Sequence, residues 1–70
     1  YQQAIDDYTT AIEFEPTDAK TYYNRGILRY FTQDYQAAIA DFQQAADLYQ
    51  QQGKDEDYQE VIKMITKLKN

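Results

Sequence analysis

Apolar side chains recur along the chain at spacings of three and four, and short polar breaks divide them into four amphipathic stretches. That is the pattern of helices. The first predicted helix runs from about Tyr1 to Phe14, with Ala4, Ile5, Tyr8, Ala11 and Ile12 on one face. Pro16 stops it, because a proline nitrogen has no N–H for the ladder and its ring drives the preceding residue out of helical dihedrals. Thr17 or Asp18 is placed to cap the second helix, which continues to about Thr32, by accepting from free backbone N–H groups. Asp34 is the expected cap of the third, whose apolar face holds Ala38, Ile39, Phe42, Ala45, Ala46 and Tyr49 before Gly53 closes it. Asp55 is the expected cap of the fourth, with Tyr58, Val61, Ile62, Ile65 and Leu68 on one side. Its acids (Asp55, Glu56, Asp57) come first and its bases (Lys63, Lys67, Lys69) last, which complements the helix dipole. No strand candidate competes, so the expected fold class is all-α.

Sliding the chain against itself by 34 residues places Tyr1, Gln2, Ala4, Ile5, Asp7 and Ala11 on Tyr35, Gln36, Ala38, Ile39, Asp41 and Ala45. Tyr8 falls on Phe42 and Phe14 on Leu48. Small residues recur where two helices approach closely, and rings recur where they fill the space between repeats. A helix pair repeated at this period predicts antiparallel helix-turn-helix units stacked as an α-solenoid.

Over about residues 1–52 the sequence resembles the tetratricopeptide repeat (TPR). Tyr22 takes the large-ring place of that pattern, Gly26 the glycine, Ala38 and Phe42 the Ala-x3-Phe pair, and Ala45 the later small site. Ala4, Tyr8, Ala11 and Pro16 match the same places one half repeat earlier, and Glu13-Phe14-Glu15-Pro16 resembles the usual repeat ending. The resemblance implies a right-handed superhelix divided into three parts. Residues 1–16 are the second helix of an incomplete repeat, 17–52 are one complete repeat (helices about 19–32 and 35–52), and 53–70 are a C-terminal capping helix. Glu56, Asp57 and Tyr58 do not match Tyr22, Tyr23 and Asn24, and an apolar stripe backed by charge is what a terminal cap needs. Tyr1 stands where a Met would begin a chain, so a longer parent is expected, with upstream sequence or another copy covering the first helix.

Four positions depart from the family pattern. Arg25 and Arg29 replace Leu and Tyr; four apart, they share a face, and their stems are expected to pack while the guanidiniums reach solvent or acids of the preceding helix. Gln33 stands at a turn often made by Gly, where positive φ would cost about 1 kcal/mol. Gln50 replaces the closing Pro, so the third helix is expected to run on to about Gln52.

Composition narrows the chemistry. The 70 residues contain no Cys, His or Ser, which excludes disulfides, Cys- or His-ligated metals, serine triads and Cys–His dyads as complete sites. No enzyme activity and no cofactor are implied. Of the net charge of −5, the whole excess lies in residues 1–18, which hold Asp6, Asp7, Glu13, Glu15 and Asp18 and no base. Without a basic stripe no nucleic-acid partner is expected. No run approaches the roughly 20 apolar residues of a membrane span and no secretory leader opens the chain, so no membrane association and a cytoplasmic location are expected. Asp6 and Asp7 are neighbours that point about 100° apart on a helix, which makes them exposed acids, not a metal or proton site. Gln50, Gln51 and Gln52 read as a solvated helix end.

The candidate binding surface is one stripe of the second helix: Lys20, Tyr23, Asn24, Ile27, Tyr30 and Phe31. Tyr22, Arg25, Gly26 and Arg29 form a different side. In the family that it resembles, first helices line a concave groove that receives a peptide, and an Asn at the place of Asn24 often bonds the ligand backbone. An amide offers donors and an acceptor to a peptide unit, and Tyr adds area with few rotors. Ile27, Tyr30 and Phe31 are equally accounted for by packing between repeats. A clamp for a terminal carboxylate needs Lys, Arg and Asn spread over three repeats, and such specificity is not expected. The expected function is a protein-interaction scaffold holding a peptide or partner protein. The alternative is a structural module that associates with itself through its unpaired first helix.

Overall fold

The computed structural model describes residues 1–69. Four helices follow one another: α1 (Gln2–Phe14), α2 (Ala19–Phe31), α3 (Tyr35–Gln51) and α4 (Asp55–Lys69). No strand occurs among the described residues. Each end of the first three helices lies within a residue of the span expected from the hydrophobic pattern. Short turns fold each helix back, so α1 packs on α2, α2 on α3, and α3 on α4. The Cα atoms fill a slab of 32 × 30 × 14 Å. Its thickness is that of two helices whose axes lie about 8–10 Å apart, plus a backbone radius of about 2.3 Å on either side.

Two turns share one hydrogen-bond pattern. After α2, the Asp34 N–H donates to the Arg29 carbonyl at 2.9 Å and the Gln33 N–H to Tyr30 at 3.0 Å. After α3, Lys54 donates to Tyr49 at 2.9 Å and Gly53 to Gln50 at 3.2 Å. Both are Schellman endings, which place one residue in the left-handed region. Gly53 (φ 71°) does so freely, whereas Gln33 (φ 66°) bears the Cβ penalty. The N-terminal acids act differently from expectation. Asp18 and Asp34 occupy N-cap positions, but neither side chain bonds a backbone N–H; the Asp18 carboxylate instead accepts from the Thr21 hydroxyl at 2.9 Å. Asp55 is already the first residue of α4, so it acts through the helix dipole and not as the flanking cap.

The core is centred on α3. Ala38, Phe42 and Ala45 are fully buried, joined by Ala46, Leu48 and Tyr49, by Ala19 of α2, and by Val61 and Ile65 of α4. Gly26 lets α2 approach α3: a Cβ there would lie 2.8 Å from Phe42 Cε1 and 3.3 Å from the Ala38 carbonyl oxygen. The ring thus occupies the space that any larger residue on α2 would need. Of the five positions expected on the α1 face only Ile5 is buried, while Ala11 is exposed and Ala4, Tyr8 and Ile12 are half-buried.

The two arginines find an acid on the following helix, not solvent or the acids before them. Arg25 grips Asp41 of α3 through Nε at 2.9 Å and Nη2 at 2.7 Å, and Arg29 adds Nη1 at 3.0 Å. Arg25 Nη1 also donates to the Thr9 hydroxyl of α1 at 3.1 Å, and its guanidinium lies 5.6 Å from the centre of the Tyr22 ring. Hydrogen bonding to Asp41 outweighs burial and holds the Arg25 guanidinium still more firmly in its charged form. One side chain therefore joins three helices. Gln50, Gln51 and Gln52 are exposed, as expected of a solvated helix end, and Gln52 also donates to the Thr17 carbonyl at 2.9 Å, tying the end of α3 to the α1–α2 turn.

Candidate functional site

An open cleft of about 630 Å³ lies where the start of α2, the end of α3 and the start of α4 converge. The Schellman turn at Gly53 delivers α4 to this place, and Gln52 fixes the opposite rim. From α2 come Ala19, Lys20, Tyr23 and Asn24; from the turn before it, Glu15, Thr17 and Asp18. Tyr49 and Gln52 close the α3 side, and Lys54 and Asp57 the α4 side. Lys20 is exposed, while Tyr23 and Asn24 are half-buried. The Tyr23 ring is braced by Phe42, with centroids 5.6 Å apart and planes tilted by 51°. A smaller niche of about 100 Å³ beside the cleft is lined by Tyr23, Tyr49 and Val61 and by the exposed Asp57 and Glu60.

The six residues of the candidate stripe separate into two groups. Lys20, Tyr23 and Asn24 share the cleft. Ile27 is half-buried and packs against the core. Tyr30 tilts onto Tyr35 with centroids 5.6 Å apart, and Phe31 stacks on Tyr1 at 6.2 Å. Phe31 remains 58% exposed, in an aromatic cluster at the other end of α2.

Tyr49, Gln52, Lys54 and Asp57 were not in the stripe read from sequence. Tyr49 belongs to the apolar face of α3, and only its position in the last turn brings its phenol to the cleft. Burial pushes that phenol above its ordinary value, and the Asp57 and Asp18 carboxylates push it the same way. Among the described residues the ion pairs are Arg25–Asp41 and Arg29–Asp41, so the charges around the cleft are not neutralised by pairing at contact distance. No group of three His, Cys, Asp or Glu that could hold a metal ion occurs among the described residues. No described helix is long and apolar enough to cross a membrane. The arrangement offers hydrogen-bonding groups, two phenol rings and charges of both signs, which suits reversible recognition of a polar chain.

Comparison with known proteins agrees with the repeat geometry. A family model described as TPR repeat matches residues 1–32, and one described as Tetratricopeptide repeat matches residues 19–52. The human protein named Tetratricopeptide repeat protein 13 is 40% identical over 50 residues, covering 71% of this chain and 6% of that protein. The chain therefore corresponds to a small part of that relative's length. No solved structure matches the chain at a significant level. With its helix hairpins, its close approach of Gly26 to Phe42 and these two matches, the chain belongs to the tetratricopeptide-repeat family.

Proposed function

We propose that the chain is a protein-interaction module that holds a peptide or an extended segment of a partner in the cleft at the start of α2. Tetratricopeptide repeats generally mediate contacts between proteins and are typically non-enzymatic scaffolds. The observation that carries the reading for this chain is the convergence of Lys20, Tyr23 and Asn24 on one cleft with Tyr49 and Gln52. Asn24 supplies paired donor and acceptor groups for a peptide unit, Tyr23 a braced ring, and Lys20 a cation that forms no ion pair among the described residues and suits an acidic group. Peptides selected from a displayed random library and measured by fluorescence anisotropy test this. Tyr23→Ala with Asn24→Ala is expected to weaken binding by tenfold or more, the scale of truncating a central aromatic contact. Unchanged affinity would remove this surface from consideration.

A second reading, association between copies, draws on α1, where Tyr1 is 72% and Phe14 82% exposed. Stacking α4 of one copy on α1 of another is disfavoured by packing. In the 34-residue register Tyr8 stands for Phe42 and Glu60 for Gly26, so the close approach of α2 to α3 has no counterpart. Sedimentation over a wide concentration range tests the reading, and a monomer throughout excludes it.

A further inference from the structure

We propose that the niche between Tyr23, Tyr49 and Val61 takes a lysine or arginine side chain of the bound peptide, with its cation at Asp57 and Glu60. The proposal deepens the cleft reading and rests on it. Three observations carry it: a cavity, its walls and its charge. The niche measures about 100 Å³, several times the ~10–15 Å³ that admits one water, which is room for part of a slender side chain. Its walls are fixed. Val61 is 1% and Tyr49 7% exposed, and Phe42 braces Tyr23. An alkyl stem lies against Tyr23, the half-buried wall of the niche, while its charged head stays at the wet mouth.

The mouth sets the sign of that head. Asp57 and Glu60 are three apart on α4, so both face the same way. Both are exposed, and neither forms an ion pair among the described residues. Lys20 and Lys54 line the wide cleft but not the niche, and the acids there outnumber any base. Tyrosine rings attract a cation and not an anion, and Tyr23 and Tyr49 both line the niche. A neutral side chain would leave the carboxylates without the partner that the geometry provides. A carboxylate ligand would be repelled by them.

The test is a nitrogen-15 NMR titration of the 70-residue chain with four blocked tripeptides, acetyl-Ala-Xaa-Ala-amide, in which Xaa is arginine, lysine, citrulline or norleucine. The arginine and lysine peptides are expected to shift the amides of Tyr23, Tyr49, Asp57, Glu60 and Val61 saturably. They are expected to bind about tenfold more tightly than the citrulline and norleucine peptides, from two exposed charge contacts and one cation–ring contact. The double variant Asp57→Asn with Glu60→Gln is expected to bring that ratio close to one while helical circular dichroism is unchanged. Independently of any variant, raising salt is expected to weaken the basic peptides and not the neutral ones. Equal binding of charged and neutral peptides, or no binding of the basic ones up to about 20 mM, overturns the niche. Library-selected peptides that still bind through Tyr23 and Asn24 would then leave the cleft reading standing, whereas their failure to bind would remove it.

Discussion

Asp41→Ala is the substitution whose cost the structure makes most definite. Asp41 is 3% exposed, and its carboxylate accepts three charge-assisted hydrogen bonds, two from Arg25 and one from Arg29. Removing it leaves two guanidiniums without a counter-ion. They differ in escape, since the Arg29 side chain is 25% exposed and can turn to water, while Arg25 is 13% exposed and is held by Thr9 as well. Breaking a buried pair by deleting one partner costs about 3–5 kcal/mol, mostly from the stranded charge. With one of two cations able to rehydrate, about 3 kcal/mol is expected. For a domain of this size each kcal/mol moves the melting temperature by roughly 4–8 °C, so a fall of more than about 10 °C should follow. Urea and thermal unfolding followed by circular dichroism measure it. The companion is the triple variant Arg25→Met, Arg29→Met and Asp41→Leu, which removes the charges together and is expected to recover most of the loss, because apolar replacement of a buried ion cluster is often neutral or stabilising. A loss below about 1 kcal/mol in Asp41→Ala, or a triple variant no more stable than it, would refute the stranded-charge argument.

Three further outcomes are expected. Gly26→Ala sets a methyl 2.8 Å from Phe42 Cε1, so overpacking of about 1–3 kcal/mol outweighs the roughly 1 kcal/mol gain in helix propensity, and urea unfolding should show a net loss. Gln33→Gly relieves a non-glycine residue at φ 66°; the left-handed penalty of roughly 1–2 kcal/mol exceeds glycine's entropic disadvantage, and the same assay should show a modest gain. Burial raises the Tyr49 phenol above the ordinary phenol range, so the unfolded chain ionises first. The stability that this group contributes is complete below the ordinary phenol range and is lost as pH rises through the folded-state value. Unfolding free energy measured against alkaline pH should fall less steeply in Tyr49→Phe.

The helices were legible because spacing, Pro16, Gly53 and the charged ends of the fourth stretch all point to the same boundaries. Agreement between independent local signals is what makes a boundary readable. The Arg25–Asp41 pair was not read, since its partners are sixteen residues apart and on different helices. A signal was nonetheless present. Asp41 lies among Ala38, Phe42 and Ala45 on the apolar face of α3, and a carboxylate at such a place requires cations opposite. Arg25 and Arg29 also replace apolar residues of the family pattern on one face of α2. The two departures from that pattern and the misplaced acid are one feature, visible only when taken together.

The candidate surface shows a different limit. Helical spacing fixes the direction in which a residue points around the axis, and by that measure Lys20 through Phe31 share a stripe. It does not fix which stretch of the axis meets a neighbour. Eleven residues at 1.5 Å each separate the ends of the stripe by about 16 Å. The cleft needs the converging ends of α3 and α4, which lie beside the first turns of α2, so it reaches Lys20, Tyr23 and Asn24. The last turns of α2 instead meet the starts of α1 and α3, where Tyr30 and Phe31 find Tyr35 and Tyr1. Tyr49 completes the site by the same geometry. A core position in the last turn of α3 buries its ring to 7% exposure and still sets it among the residues that line both cavities. The residues that line the cleft are therefore chosen by height along the helices as much as by face, and the turn at Gly53, which sets where α4 begins, determines which acids stand at the niche.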